Sequence, residues 1–320
     1  MNKKALIIGS SGQDGTFLTA LLCSKNYTVI CASRDADSNN FTNHEKLQIK
    51  GTLEYVTLNI NEMSSVLKVL DKYKPDEIYN LAAQSSVGLS FEKPMETIES
   101  IICGTVNILE AIKFSKINTR FYNAGSSEAF GNHGATNINE QTKLQPLSPY
   151  GISKASAIEF VKMYRNSYSI FACTGFLFNH ESDLRGKNFV TKKIIRTAVK
   201  IKKGLEKNLT LGNIDIYRDW GWAPEYVEAM WLMLQQDCPE DFIIATGKTY
   251  SLKDFVRYTF EYLNLDYKTH LKTESNLFRP QDIKVNNADP SKALKKLGWK
   301  AETDMYLLIQ KLVDTELNKY

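Results

Sequence analysis

Short apolar runs alternate with longer amphipathic segments along the first 180 residues. The apolar runs predict strands at KALIIGS, YTVICASR, LEYVTLNI, DEIYNLAA, TRFYNAGSS and SIFACTGFLFN. The segments 12–25, 64–73, 97–114 and 149–166 between them have helical periodicity. Strands that are apolar throughout and separated by helices indicate a parallel sheet covered on both faces.

The pattern is looser after residue 180. Strands are predicted at 208–213 and 241–247, and helices at 191–203, 224–236, 251–263 and 304–317. No repeat, low-complexity tract or clear linker separates this region from the first. We therefore expect an α/β fold in which a doubly wound parallel sheet carries a smaller C-terminal α/β lobe packed against it.

Composition narrows the class of protein. The net charge of +4 over 320 residues is too small to suggest nucleic acid, and no nucleic-acid partner is expected. The odd number of cysteines, five, and the lack of a C-x-x-C pair predict neither disulfides nor a metal site. We expect no signal peptide and no membrane partner, because no apolar run approaches the ~18 residues of a membrane span, and hence a cytoplasmic protein.

The stretch GSSGQDG lies between the first strand and the first helix and contains Gly9, Gly12 and Gly15. Glycine at these positions permits a tight turn, close approach to a pyrophosphate and close packing of helix on strand. The helix N-terminus that follows stabilises an anion. Because the motif opens a βαβ pattern, it predicts a Rossmann-type dinucleotide site.

The end of the second strand bears on the choice between NAD and NADP. Ser33 and Arg34 favour the 2′-phosphate of NADP, whereas Asp35 is typical of binding to the ribose hydroxyl of NAD. We expect NADP, and the alternative that Arg34 is an ordinary surface charge stays open.

The stretch PYGISK places Tyr150 and Lys154 on one face of a predicted helix. A nearby ammonium favours the phenolate, so this tyrosine can act as a base. Ser126 and Ser127 end the preceding strand, where a hydroxyl can bind the substrate. Together with the glycine motif, these residues resemble the extended short-chain dehydrogenase/reductase superfamily.

Glu128 follows the serine pair directly. Epimerases and simple reductases of this superfamily need no further acid–base group there, but a 4,6-dehydratase must remove a proton from C5 and expel the C6 hydroxyl. One carboxylate can serve both steps. The alternative is an idle, solvent-facing glutamate in a turn.

Five further segments resemble the GDP-mannose 4,6-dehydratase family: 75–94, 179–194, 211–221, 240–247 and 278–299, with NHES…RG…FVT and RDWG as specific signatures. The resemblance implies an NADP-dependent hydro-lyase that makes a GDP-4-keto-6-deoxy sugar by internal hydride transfer. It also implies that residues 1–180 bind NADP and carry the catalysis. Residues 181–320 would mainly bind the nucleotide sugar, with some segments returning to the first domain.

The resemblance assigns residues to three sites. The catalytic residues are Ser126, Glu128, Tyr150 and Lys154. The NADP site comprises Gly9, Gly12, Gln13, Asp14, Gly15, Arg34, Asn59, Ile60, Leu81, Ala82, Ala83, Tyr150 and Lys154. The GDP-sugar site comprises Ser85, Ser86, Ser127, Asn179, Arg185, Val190, Lys193, Gly212, Arg218, Arg279 and Asp282.

Several positions depart from the family pattern. Gly125, Ser126, Ala129 and Phe130 are smaller than the usual residues, and Ser86 replaces a usual histidine. These changes suggest extra room near C5 and C6 of the sugar. GDP-mannose and the bulkier GDP-manno-heptose are therefore both candidate substrates, since drift at tolerant positions explains the same changes.

Two departures concern other properties. Arg34-Asp35 replaces an Arg-Arg pair that supports a tetramer in the family, so we expect a homodimer through the helices at 97–114 and 149–166, with a tetramer as the alternative. Trp222, where the family has histidine, has no interpretation.

The competing functions are a GDP-sugar epimerase or 4-keto reductase of the same fold, and a non-catalytic NADP-binding regulator, against which the intact catalytic set argues.

Overall fold

The computed structural model describes residues 2–36, 41–49, 51–134 and 136–320. Its strands are β1 (Lys4–Ile8), β2 (Thr28–Ser33), β3 (Thr52–Thr57), β4 (Glu77–Asn80), β5 (Arg120–Ala124), β6 (Ala172–Leu177), β7 (Asn179–Glu181), β8 (Leu209–Leu211), β9 (Tyr217–Trp222), β10 (Phe242–Ile244), β11 (Thr249–Ser251) and β12 (Leu271–Thr273). In the described residues, seven strands form one sheet in the order β10-β6-β5-β4-β1-β2-β3, and every neighbouring pair is parallel. The predicted doubly wound parallel sheet is confirmed.

Helices cover this sheet and build the lobe beside it. They are α1 (Gln13–Ser24), α2 (Thr42–Lys46), α3 (Met63–Tyr73), α4 (Val87–Glu92), α5 (Pro94–Ile98), α6 (Gly104–Ser115), α7 (Pro149–Tyr168), α8 (Val190–Lys202), α9 (Ala223–Met233), α10 (Leu252–Tyr262), α11 (Tyr267–His270), α12 (Ser291–Leu297) and α13 (Met305–Leu317). Within the described parts of the chain, every helix is too short or too polar to span a bilayer.

The two faces of the sheet bury two separate cores, because successive side chains of a strand point to opposite faces. Ala5 and Ile7 of β1 pack in the core that also contains Leu18 of α1 and Met230 of α9. The residues between them, such as Leu6, pack in the other core, against α3, α6 and α7. The apolar strands of the sequence are thus explained by burial on both sides.

The C-terminal lobe has its own core. The amphipathic helices α8, α10 and α13 bury Ile194, Phe255 and Leu308 around Trp220 of β9. β9 lies between β7 and β11 in a small sheet, and β8 pairs with β12. β10 leaves this region and pairs in parallel with β6 of the main sheet.

The helix predicted at 97–114 is interrupted. The chain forms α5, then a π-helical turn at Glu99–Cys103, and then α6. In the π turn, the Ser100 hydroxyl accepts from the backbone N–H of Gln84 at 3.2 Å, beside the end of β4. A single π turn inside a longer helix is too short to show in the apolar pattern of the sequence, so helical periodicity did not predict it.

Candidate functional site

The ends of β1 and β4 and the start of α1 enclose a cleft of about 610 Å³, which we call the glycine-loop cleft. Most of the predicted cofactor residues line it: Gly9, Gly12, Gln13, Asp14, Gly15, Arg34, Ile60, Leu81, Ala82 and Ala83. Among the described residues, Asn61 lines the cleft where Asn59 was predicted. The Asn59 amide instead donates to Glu62 at 2.8 Å.

Two glycines of the loop have no room for a side chain. Gly9 has a φ of +88°, and a Cβ there would lie 2.9 Å from the backbone nitrogen of Ala82. A Cβ on Gly15 would lie 2.3 Å from the Gly9 oxygen. The loop therefore packs directly against α1 and β4, and the N-terminus of α1 faces the cleft. This geometry fits a dinucleotide pyrophosphate.

Side chains of α2 support the glycine loop through contacts that the sequence did not reveal. His44 of α2 is buried, and its Nε2 lies 2.8 Å from the Ser10 oxygen. The Asn43 amide donates to the Ser11 oxygen at 3.1 Å. Phe41 and Tyr55 pack around the His44 ring. The segment is short and weakly periodic, so no pattern pointed to it.

Tyr150 and Lys154 lie one turn apart on α7, and both are buried. α7 begins at Pro149, and the Ser148 hydroxyl caps it by accepting from the Gly151 N–H at 3.0 Å. The Lys154 Nζ donates to the Ala124 oxygen at the end of β5, at 2.6 Å. Because these contacts fix α7 against β5, the two side chains are held at the carboxyl edge of the sheet.

Burial dominates the protonation of this pair. It raises the pKa of Tyr150 to about 12, with the Ser126 hydroxyl acting in the opposite direction. It lowers the pKa of Lys154 to about 8, against a smaller opposing effect of Asp14. Tyr150 is thus the neutral phenol at physiological pH.

Glu128 lies in a 3-10 turn, Ser127–Ala129, which Ser126 caps by accepting the Glu128 N–H at 3.2 Å. The turn packs against α7: a Cβ on Gly151 would lie 2.7 Å from the Glu128 oxygen. Burial raises the pKa of the Glu128 carboxyl, and the nearby charges of Arg218 and Arg279 lower it in part. The carboxyl is therefore partly buried and faces two arginines, while its catalytic role stays a prediction.

The arginines beside Glu128 are themselves held in place. Arg218 is buried and donates to the oxygens of Tyr217 and Ile283, at 2.9 and 2.7 Å. It also pairs with Asp282 at 2.9 Å, and Arg279 approaches the same Asp282 oxygen at 3.4 Å. The structure thus brings together two predicted GDP-binding arginines and one predicted catalytic carboxylate.

The other residues predicted for the GDP-sugar site lie on several elements of the fold. Arg185 and Ser85 line the glycine-loop cleft, so the two predicted sites adjoin. Ser86 caps α4 by accepting the Leu89 N–H, and Ser127 is buried. Asn179 begins β7, Val190 begins α8, and Lys193 is an exposed residue of α8. Gly212 lies against Leu277, where a Cβ would sit 2.6 Å from the Leu277 oxygen.

The proposed widening of the sugar site is wrong for three of its five positions. Ala129 and Phe130 are fully buried in a core with Phe176. Phe130 also lines a separate groove of about 1240 Å³ beside α7. A Cβ on Gly125 would meet Thr174 and Gly175 of β6. All three positions face the packed interior of the protein, so the size of the residue there does not set the room around the sugar.

Two further findings concern residues without a predicted role. Trp222 packs beside Phe17 of α1, with ring centroids 6.5 Å apart, and under the ammonium of Lys311 of α13. It thus joins the first helix to the lobe. His180 forms an ion pair with Asp14 at 2.9 Å. The signature NHES contains His180, but its partner lies 166 positions away, beyond the reach of sequence spacing.

A Rossmann-type sheet with a buried Tyr-x-x-x-Lys pair beside its glycine loop defines an extended short-chain dehydrogenase/reductase. Solved structures agree on the fold. A dTDP-glucose 4,6-dehydratase of Bacillus anthracis in complex with NAD superposes with a TM-score of 0.85 at 21% identity, over 99% of this chain and 97% of that one. A Pseudomonas aeruginosa protein, RMD, complexed with NADPH superposes with a TM-score of 0.80 at 18% identity, over 100% and 99%.

Sequence comparison is more specific. The family model for GDP-mannose 4,6 dehydratase matches residues 6–312. GDP-mannose 4,6 dehydratase 1 of Arabidopsis thaliana is 41% identical over 98% of this chain and 90% of its own length. GDP-mannose 4,6-dehydratase of Vibrio cholerae is 38% identical over 99% and 94%. The chain belongs to the GDP-mannose 4,6-dehydratase family.

Proposed function

We propose that the protein is a hydro-lyase that converts GDP-mannose to GDP-4-keto-6-deoxymannose. The observation that carries this proposal is the partly buried Glu128 carboxyl, held in the turn that packs on the helix of Tyr150 and Lys154. An epimerase or 4-keto reductase needs no acid–base group at this position. A dehydratase needs one, so the alternative functions are not required.

The bound cofactor in this proposal is NADP. The glycine-loop cleft fits a dinucleotide, and Arg34, exposed at its rim, supports a 2′-phosphate. Held at the glycine loop and Arg34, the cofactor would supply reversible hydride transfer, so the reaction would have no net redox change.

We assign Tyr150 as the base that removes the proton of the C4 hydroxyl. Its pKa of about 12 is too high for a base, so its deprotonation depends on positive charges placed around it. Lys154, one turn further along the same face of α7, supplies one of them, with its Nζ 5.8 Å from the centre of the Tyr150 ring. The Ser126 hydroxyl lowers the pKa of Tyr150 through a hydrogen bond and is assigned to orient the phenol oxygen.

Glu128 is assigned two proton transfers. Once C4 is a ketone, the C5 proton is acidic, and the carboxylate removes it. The resulting carboxylic acid then gives the proton to the departing C6 oxygen, which leaves as water. Burial raises the pKa of Glu128, and the charges of Arg218 and Arg279 lower it in part. Such a balance suits a group that must act both as a carboxylate and as a carboxylic acid.

We assign the binding of the GDP moiety to the C-terminal lobe. Arg218 and Arg279 carry the charge that a pyrophosphate needs, and the fixed geometry of Arg218 supports bidentate binding. Asp282 orients both guanidinium groups and is assigned to the ribose. The remaining predicted contacts are Asn179, Arg185, Val190, Lys193 and Gly212.

Mannose is favoured over manno-heptose. Gly125, Ala129 and Phe130 do not enlarge the sugar site, which leaves only Ser86 and Ser126 as smaller residues near it. The relatives described above are also named for GDP-mannose.

We further propose that the chain divides into two domains at residue 180 and that the protein forms a homodimer. Exposed apolar side chains on α5, α6 and α7 support an interface through these helices: Met95, Phe114, Ile152, Met163 and Tyr168. A tetramer is the alternative.

A cytoplasmic location is supported by the five cysteines, all of which are free thiols.

The proposal is tested by incubating the purified protein with NADP and either GDP-mannose or GDP-manno-heptose, and following the nucleotide sugars by mass spectrometry. We expect loss of one water, without net consumption of cofactor, and faster with GDP-mannose. Net consumption of NADPH would indicate a reductase. Turnover without loss of water would indicate an epimerase, and faster turnover of the heptose would overturn the sugar assignment.

A further inference from the structure

His180 is a titratable side chain buried at the junction of the two predicted sites. Its Nε2 lies 2.9 Å from an Asp14 carboxylate oxygen and its Nδ1 lies 2.7 Å from the Phe178 oxygen. Both partners are acceptors without a hydrogen, so both ring nitrogens must be protonated. Burial alone lowers the pKa of His180, but the Asp14 carboxylate outweighs it and the net shift is upward.

The ring of His180 is fixed from the side as well. It stacks on Tyr226, with centroids 4.6 Å apart and planes at 23°. Tyr226 is fully buried and lies against Gly221, where a Cβ would come within 2.3 Å of the Tyr226 ring. The imidazolium therefore has one orientation, with Nε2 directed at the first turn of α1.

A second link runs parallel to this ion pair. The Gln13 amide donates to the His180 oxygen at 3.2 Å and to Asp14 at 3.0 Å. The Gln13 oxygen accepts from the Ser182 hydroxyl at 2.8 Å, and that hydroxyl accepts from the Leu184 N–H at 3.1 Å. The first turn of α1 is thus tied to the turn that precedes Arg185.

The turn continues the connection into the lobe. The Arg185 Nε lies 3.2 Å from Glu181, a buried carboxylate that also accepts from the Thr191 hydroxyl at 2.7 Å. Thr191 lies in the first turn of α8, beside Val190 and Lys193. One continuous set of polar contacts therefore joins the dinucleotide loop to the segment assigned to GDP.

We propose that the Asp14–His180 ion pair, with the Gln13–Ser182 hydrogen bond, couples the dinucleotide site to the GDP-sugar site, so that each ligand tightens the binding of the other. The proposal rests on the proposed function. Asp14 and His180 are positioning residues in it: a ligand at the glycine loop fixes the first turn of α1, and the ion pair fixes the 179–185 segment with it. By linkage the effect is the same in both directions.

The test is a set of calorimetric titrations, NADP with and without GDP, and GDP with and without NADP. For the wild-type protein we expect each ligand to raise the affinity for the other at least about 5-fold. In His180→Gln and in Asp14→Asn, we expect this factor to fall to one. The matched control is Asp241→Asn, which breaks the partly buried Arg165–Asp241 pair at the edge of the main sheet and should keep the wild-type factor.

The outcomes separate the two proposals. A protein that binds no GDP contradicts the proposed function and the coupling together. Binding of both ligands without mutual effect, or coupling that survives in His180→Gln, overturns the coupling alone. If the variants do not fold, nitrogen NMR of the wild-type histidines, four in the chain, still decides: a neutral His180 ring at pH 7 would overturn the ion pair on which the coupling depends.

Discussion

The Nζ of Lys154 donates a hydrogen bond of 2.6 Å to the backbone oxygen of Ala124, the last residue of β5. This bond holds the ammonium at the edge of the sheet, 5.8 Å from the centre of the Tyr150 ring. Because the ammonium is buried, its pKa is lowered to about 8. The charge proposed to activate Tyr150 is therefore lost within an accessible pH range.

The pH dependence of catalysis should report this charge. Lys154 is protonated below its pKa of about 8, so kcat/KM for GDP-mannose should fall as the pH rises through that value. In Lys154→Arg the charge cannot be removed, so the alkaline decline should disappear even though the rate is lower. Lys162→Arg, on the exposed side of α7, should keep the wild-type profile. The same alkaline decline in Lys154→Arg would assign it to another group.

Gly15→Ala should abolish binding of NADP. The added methyl would lie 2.3 Å from the Gly9 oxygen, so the loop or the helix must move away from the position that fits a pyrophosphate. Gly88→Ala is the control, because its methyl would meet only the Ser86 hydroxyl, at 4.0 Å. Fluorescence titration with NADP measures the difference. Wild-type affinity in Gly15→Ala would show that the loop does not hold the cofactor as proposed.

Phe130→Leu should change stability without changing the choice of sugar. The ring is fully buried against Phe176, with centroids 5.1 Å apart, so the replacement should lower the free energy of unfolding by about 1.5 kcal/mol. Urea unfolding measures this loss. The ratio of kcat/KM for GDP-mannose and GDP-manno-heptose should stay constant. A changed ratio would place Phe130 at the sugar after all.

Ile152→Glu should convert a dimer into a monomer. Ile152 is exposed on α7 among the apolar residues of the proposed interface, and a buried carboxylate there would oppose association. Light scattering after gel filtration gives the mass. Leu205→Glu, equally apolar and exposed but located after α8, should remain a dimer. An unchanged mass in Ile152→Glu would exclude this face as the interface.

Much of the sheet could be predicted from the sequence. β1, β2, β5 and β6 are continuous apolar runs, because both faces of a parallel sheet are buried. The glycine loop and the Tyr150–Lys154 pair could be found because each depends on local spacing. β7 and β9 were not predicted, since β7 has only three polar residues and the adjacent Arg218 and Asp219 interrupt the apolar positions of β9.

The direction of individual side chains was harder to predict. The alternation of β5 ends at Ala124, and the 3-10 turn that follows sends Glu128 to the site but Ala129 and Phe130 into the core. The Asp14–His180 pair and the Glu128–Arg218 proximity join residues far apart in the chain. Such contacts depend on the complete fold and not on any local pattern.

The most direct test of the account is Glu128→Gln, assayed for loss of water from GDP-mannose by mass spectrometry beside a titration of GDP-mannose binding. We expect the rate to fall by about 10²- to 10⁴-fold while the affinity changes little, because the amide keeps the shape of the carboxyl but moves no proton. Glu159→Gln, exposed on α7, should retain the wild-type rate. Dehydration by Glu128→Gln at close to the wild-type rate would contradict the central claim.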